Sequence, residues 1–195
     1  MFNNICRVPV GPFGSLFVVG NKELLSDSLS SLRFSVSGAR QIDSNSSDWL
    51  RSTVSQLTSE HILVSGLALG SDSIAHQTAL QHHIPQIAVL PSGFNNIYPV
   101  RNIELAKQIV ADGGCLVSQF HPNTRPSRAS FVSRNELIAY LGHMLIVPQF
   151  EARSGTRHTV DFAQKMNKYI IVQNQHNYSG NSFIISSPSY KTITK

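Results

Sequence analysis

Cysteine is scarce in this chain of 195 residues: Cys6 and Cys115 are its two thiols, and they form no CxxC pair. That excludes a dense disulfide framework and a zinc ribbon, and it fits a reducing compartment, so a cytoplasmic location is expected. Long apolar runs are also missing. None approaches the ~18 residues of a membrane span, and the opening "MFNNICRVPVGPFG" has neither a basic start nor a long apolar stretch. Secretion and membrane insertion are not expected. Charge is sparse, at 14% against 41% hydrophobic residues, which excludes a disordered polyelectrolyte and leaves solubility to Ser, Asn, Gln and Thr. The little charge present is unbalanced. Sixteen Lys and Arg face eleven Asp and Glu, for a net +5, which suits an anionic partner. No GxGxxG follows the first strand and no GxxxxGK[ST] occurs, so neither a dinucleotide fingerprint nor a P-loop is present. The eight histidines show no ligand spacing with Cys or carboxylates, and neither a metal nor a cofactor is expected.

What remains is a regular alternation. Short runs rich in Val, Ile and Leu on both faces read as buried parallel strands: "SLFVVG" (15–20), "RFSVSG" (33–38), "HILVSG" (61–66), "QIAVLPSG" (86–93), "CLVSQF" (115–120), "HMLIVPQ" (143–149) and "KYIIVQN" (168–174). Between them lie segments of helical spacing over 46–60, 71–83, 102–114, 133–142 and 154–167. Asp48 or Ser47 is the expected cap of the first helix, and Ser71 or Asp72 that of the second. Strand, helix and strand repeated this way predict a doubly wound, mostly parallel α/β sheet of Rossmann type. It is expected to fill one domain over residues 1–174, with a weakly ordered, Ser/Asn-rich extension over 175–195.

In such a sheet ligands bind at the carboxyl ends of the strands, where helix N-termini offer free N–H groups. Small residues cluster there: "SGAR" (37–40), "SGLALGSD" (65–72), "PSG" (91–93) and "ARSGT" (152–156). Glycine is also the usual way to make any short loop. These loops predict a groove floored by backbone amides, suited to a phosphate or nucleotide.

Six blocks, "SLFVVGNKELL", "FSVSGAR", "LVSGLALGSDSIAHQTAL", "IAVLPSGFNNIYPVRNIELAKQI", "LVSQFHPNTRPSRASFVSRNELIAYLG" and "MLIVPQFEARSGTRHTVDFAQKMNKYIIV", carry a more specific signal. In order and spacing they resemble the Rossmann-like domain of the DprA/Smf family of DNA-processing proteins, from about residue 15 to about 173. The resemblance implies a cytoplasmic, non-catalytic homodimer that binds single-stranded DNA during natural transformation and helps load a RecA-type recombinase. It implies a phosphate-facing turn at Gly38, Ala39 and Arg40, and a second at Ser65, Gly66, Gly70 and Asp72. It also implies a strand-binding segment with Phe131, Arg134 and Asn135, and a turn at Arg153, Ser154 and Gly155. Chemistry agrees, since a guanidinium grips phosphate and an aromatic ring beside an arginine stacks a base while neutralising its backbone. For Phe131 a core position is the alternative, for His76 helix packing, and for Arg125 and Arg128 a solvated loop.

The chain departs from the family pattern at Leu69 and Ser71, in place of an arginine and an isoleucine, at Gln119 and Gln149, in place of acids, and at Pro148. These changes are expected to fall on the groove. Many relatives carry helical and winged-helix domains beside this unit, so a minimal unit is expected here. A second function stays open: the wider superfamily includes nucleotide sensors and enzymes resembling the LOG phosphoribohydrolases, of whose "PGGxGT" loop "EARSGT" keeps the Ser-Gly-Thr end. Glu151 is the nearest carboxylate for such acid-base work.

Overall fold

The computed structural model describes residues 2, 4–26 and 28–195. Among them a nine-stranded sheet runs through β1 (Cys6–Pro9), β2 (Ser15–Gly20), β3 (Arg33–Val36), β4 (Ile62–Ser65), β5 (Gln86–Leu90), β6 (Cys115–Ser118), β7 (Met144–Val147), β8 (Tyr169–Val172) and β9 (Lys191–Thr194). Their spatial order is β1-β2-β6-β5-β4-β3-β7-β8-β9. From β6 to β9 every neighbour pairs in parallel, whereas the β1–β2 and β2–β6 pairs are antiparallel. The doubly wound, mostly parallel α/β expectation holds. The chain steps outward from β3 to β6 and then returns to place β7 on the other side of β3, so winding reverses at β3.

Among the described residues six α-helices cover the two faces: α1 (Ser44–Val54), α2 (Ser71–Gln81), α3 (Ile103–Ala111), α4 (Arg128–Leu141), α5 (Thr156–Lys165) and α6 (Ser179–Ser186). Alternating strand residues feed both layers, as burial on both sides requires. Ile87 and Val89 of β5 pack with Leu137 and Ile138 of α4, while Ala88 and Leu90 pack with Leu105 and Ile109 of α3.

Local signals placed the helix ends less well than the strands. Asp43, not Asp48 or Ser47, caps α1, its carboxylate accepting from the Ser46 N–H at 2.6 Å. A cap must precede the first turn, and Ser47 and Asp48 already lie within the helix. For α2 the capping residue is Gly70, without a side-chain bond, and Ser71 and Asp72 are the first helical residues. A reciprocal Ser127–Ser130 box starts α4 five residues earlier than expected, which places Phe131 and Arg134 one turn apart on a helix.

The segment 175–195, expected as a weakly ordered extension, instead forms α6 and β9, which extends the sheet beyond β8. Ile184 and Tyr190 enter the cluster of Leu145, Val160 and Ile170. Asn181, fully buried, accepts from Phe150 N–H at 3.0 Å and donates to the carbonyls of Pro148 at 2.9 Å and Gln173 at 3.3 Å. Asn181→Ala leaves three buried backbone groups without this partner, and a loss of about 1–3 kcal/mol in urea unfolding is expected. Stability equal to wild type would show that Asn181 is not the fastener of this segment.

Candidate functional site

The carboxyl ends of β3, β4 and β7 meet where the winding reverses, and the turns leaving them frame a groove of ≈ 710 Å³. The first wall is the turn after β3. Ala39 donates to Gln149 O at 2.8 Å, and its own carbonyl receives both the N–H and the hydroxyl of Ser71, at 3.1 and 3.0 Å. Gly38 O accepts from the Thr156 hydroxyl at 3.0 Å. With the backbone held on both sides, the exposed Arg40 side chain projects over the Phe131 ring, 5.5 Å from its centroid.

The second wall, residues 66–70, is folded around a carboxylate. Asp72 in the first turn of α2 reaches back and accepts from the N–H groups of Gly66 and Ala68, each at 3.2 Å. Between them Leu67 takes φ +57° and drops its side chain into the core. Asn102 and the Ser73 hydroxyl hold the loop from the other side, donating to Leu67 O and Ala68 O. Gly70, at φ +73°, lies against the carbonyls of Ala39 and Arg40, where a Cβ would sit about 2.5 Å away.

This corrects the expectation of a loop that offers its amides to an anion. The Gly66 and Ala68 amides are taken by Asp72, and the Ser71 N–H is taken by Ala39. Ser65 is buried, its hydroxyl donating to Val36 O at 2.9 Å. The absent side chain of Gly66 serves another purpose: a Cβ there would lie 1.3 Å from Nη1 of Arg134.

Arg134 is the unusual group of the site. It is 5% exposed, its Nη1 lies 3.6 Å from Asp72 Oδ2, and neither Nε nor Nη1 has a hydrogen-bond partner among the described residues. Burial drives its pKa down, Asp72 opposes that shift and Arg40 adds to it. Arg134 is thus a desolvated cation with unfilled donors, and it lines the groove. One turn earlier on α4, Phe131 is half-buried. Its ring lies near the guanidinium carbons of both Arg40 and Arg134, the latter 5.8 Å from the centroid, and stands edge-on to Tyr98 at 5.7 Å.

The third wall is the turn after β7. Asn135 donates to Gly155 O at 3.1 Å, and the buried Ser154 hydroxyl lacks a partner among the described residues. Glu151 lines the same wall and is bonded by Ser179. Arg153 is exposed and lies outside the lining, whereas Arg128, at the start of α4, is within it. Arg125 lines a separate depression with Tyr98.

Gln119 and Gln149, expected on the groove, hold other groups instead. Gln119 accepts from Ser133, and the buried Gln149 accepts from Asp43 N–H at 3.0 Å. His76 takes its packing alternative: it is fully buried, with Nδ1 2.7 Å from Gln86 Oε1. Tyr98 was missed, although an aromatic in a loop after β5 is the signal that could have marked it.

A mostly parallel sheet with a polar crevice at its switch point defines a Rossmann-like α/β domain. Comparison makes the class specific. The model of the DNA recombination-mediator protein A family matches residues 4–188, and the chain belongs to that family. It is 35% identical to the protein Smf of Escherichia coli over 144 residues, 73% of this chain and 37% of that one. It is 31% identical to the DNA processing protein DprA of Streptococcus pneumoniae over 150 residues, 77% of this chain and 51% of that one. The chain thus spans about a third to a half of these relatives. DNA processing protein A of Helicobacter pylori, solved to describe its single-stranded DNA binding mode, superposes with a TM-score of 0.81 at 28% identity. That match covers 92% of this chain and 81% of that one. Among the described residues no helix is long and apolar enough to cross a membrane.

His76 makes the site's underpinning sensitive to pH. Burial holds its pKa below the ordinary value, so the unfolded chain takes up a proton near pH 6.5 that the native chain refuses. Stability is therefore complete above that pH and falls as pH drops below it, by at most about 1.4 kcal/mol per pH unit for one histidine. Urea midpoints should decline from pH 7.5 to 5.5, and a flat profile would contradict the buried neutral state.

Proposed function

We propose that the groove binds single-stranded DNA, chiefly through its phosphates and without strong sequence preference. The observation that carries this reading is the Phe131 ring beside both Arg40 and Arg134 in a groove that holds an unfilled guanidinium. Every base has a face to stack on that ring, and every link of the strand brings one anion to the arginines beside it. Arg134 is the fixed floor contact, Arg40 and Arg128 are the mobile rim contacts, and Ser154 and Asn135 supply polar contacts on the far wall. The single-stranded DNA binding of the Helicobacter pylori relative supports the reading.

Binding without catalysis fits the state of the carboxylates. Asp72 is committed to two amides and an arginine, and Glu151 is bonded by Ser179. We assign the chain, by its family, a role in DNA processing as a homodimer in the cytoplasm, with a RecA-type recombinase as its protein partner.

The test is anisotropy of a fluorescent oligo-dT across a salt series, with duplex and mononucleotide competitors. Wild-type binding should be steep in salt and poorly competed by either. Arg40→Ala should weaken it for all sequences and reduce the slope of log affinity against log salt by about 0.7, the value for one phosphate on a single strand. Displacement by mononucleotide at low concentration would replace this reading with a nucleotide sensor.

A further inference from the structure

Phe131 is not the end of the aromatic surface. Tyr98, 43% exposed, meets it edge-on and lines both the small cleft shared with Arg40 and Phe131 and a second depression of ≈ 320 Å³ beyond it. That depression is bounded by Asn95, Val100, Arg125 and Pro126, and Arg125 is the one charged side chain among its described lining residues. Leu69 and Val100, 37% and 71% exposed, add apolar surface along the same line. The groove, Phe131, the cleft, Tyr98 and the depression therefore form one continuous track. A ring and a guanidinium occur at its far end as they do at its start.

The far end is preformed. Gly93 and Asn95 donate backbone N–H bonds to Thr124 O and Pro122 O, each at 2.9 Å, and the Asn95 and Asn96 amides donate to Asn123 at 2.7 and 2.9 Å. These bonds tie the loop that carries Tyr98 to the loop that carries Arg125, so the ring and the cation face one space without further ordering.

We propose that Tyr98 and Arg125 form a second nucleotide subsite, in which the base next to the one on Phe131 stacks on Tyr98 and its phosphate pairs with Arg125. The occupant is the same single strand, continuing out of the groove. The proposal rests on the groove reading above and extends it. The track also gives Leu69 a place: it lines the same cleft as the two rings, where an apolar side chain suits the bases.

The experiment uses the full chain and oligo-dT strands carrying one 2-aminopurine, moved along the sequence. In wild type two neighbouring positions should be quenched by stacking. Phe131→Ala should abolish quenching at one of them and Tyr98→Ala at the other, with a loss of affinity of roughly 5- to 100-fold for each. Tyr98→Phe keeps the ring and should retain both, which separates stacking from loop collapse. Arg125→Ala should lower the salt slope by about 0.7. If Tyr98→Ala and Arg125→Ala bind as wild type while Arg40→Ala and Phe131→Ala do not, the subsite is refuted and the groove reading stands. If wild type binds no single strand, both fail together.

Discussion

The site depends on one carboxylate. Asp72 closes the 66–70 loop through two backbone N–H groups and stands within ion-pair distance of Arg134, at 8% side-chain exposure for the acid and 6% for the base. Neither partner has an independent reason to be buried. A lone guanidinium at that depth would be expelled or would forfeit its charge, and a lone carboxylate would be left without its counter-charge. The loop conformation, the position of the guanidinium and the left-handed residue Leu67 are therefore aspects of one arrangement. Asn102 and Ser73 complete it by holding the carbonyls that Asp72 leaves over.

From this follows a different view of the small residues. Gly66 lacks a side chain because a guanidinium occupies that volume, so the cation is brought to the backbone rather than an anion. The unfilled donors of the groove therefore belong to a side chain on a helix instead of to those loop amides. A helix-borne arginine whose Nε and Nη1 find no acceptor within the described protein is better organised for a phosphate than mobile loop N–H groups would be.

The strands were legible because burial on both faces leaves continuous runs of Val, Ile and Leu, and β4 to β8 needed no tertiary information. β1 and β9 were hidden for the opposite reason. They are edge strands, "CRVP" and "KTIT", half in solvent and too short to show a pattern. Arg40, Phe131 and Asn135 were found through the resemblance of their blocks to a family, and the structure brings these three together at the groove. Ser65, Gly66 and Asp72 were given the wrong role, since what they meet lies far along the chain, Val36 29 residues from Ser65 and Arg134 62 and 68 residues from Asp72 and Gly66.

The C-terminal segment shows what composition conceals. Read as Ser- and Asn-rich, it looks dispensable, yet its polar side chains are the fasteners of the groove. Tyr178 bonds Asp43, the cap that follows the Arg40 turn, and Gln175 accepts from Ser46 in the same helix start. The Ser46 amide first and Tyr178 second hold the Asp43 carboxyl below the usual range. On the facing wall, Asn181 secures Pro148 and Phe150, and Ser179 secures Glu151 and Ala152. One short stretch thus fastens the two turns that wall the groove. Small polar residues suit that task because short side chains reach nearby backbone groups at little cost in rotamer entropy. The same choice removes the hydrophobic periodicity by which a helix is recognised, so the segment that fastens the walls of the groove carries the faintest signal of structure.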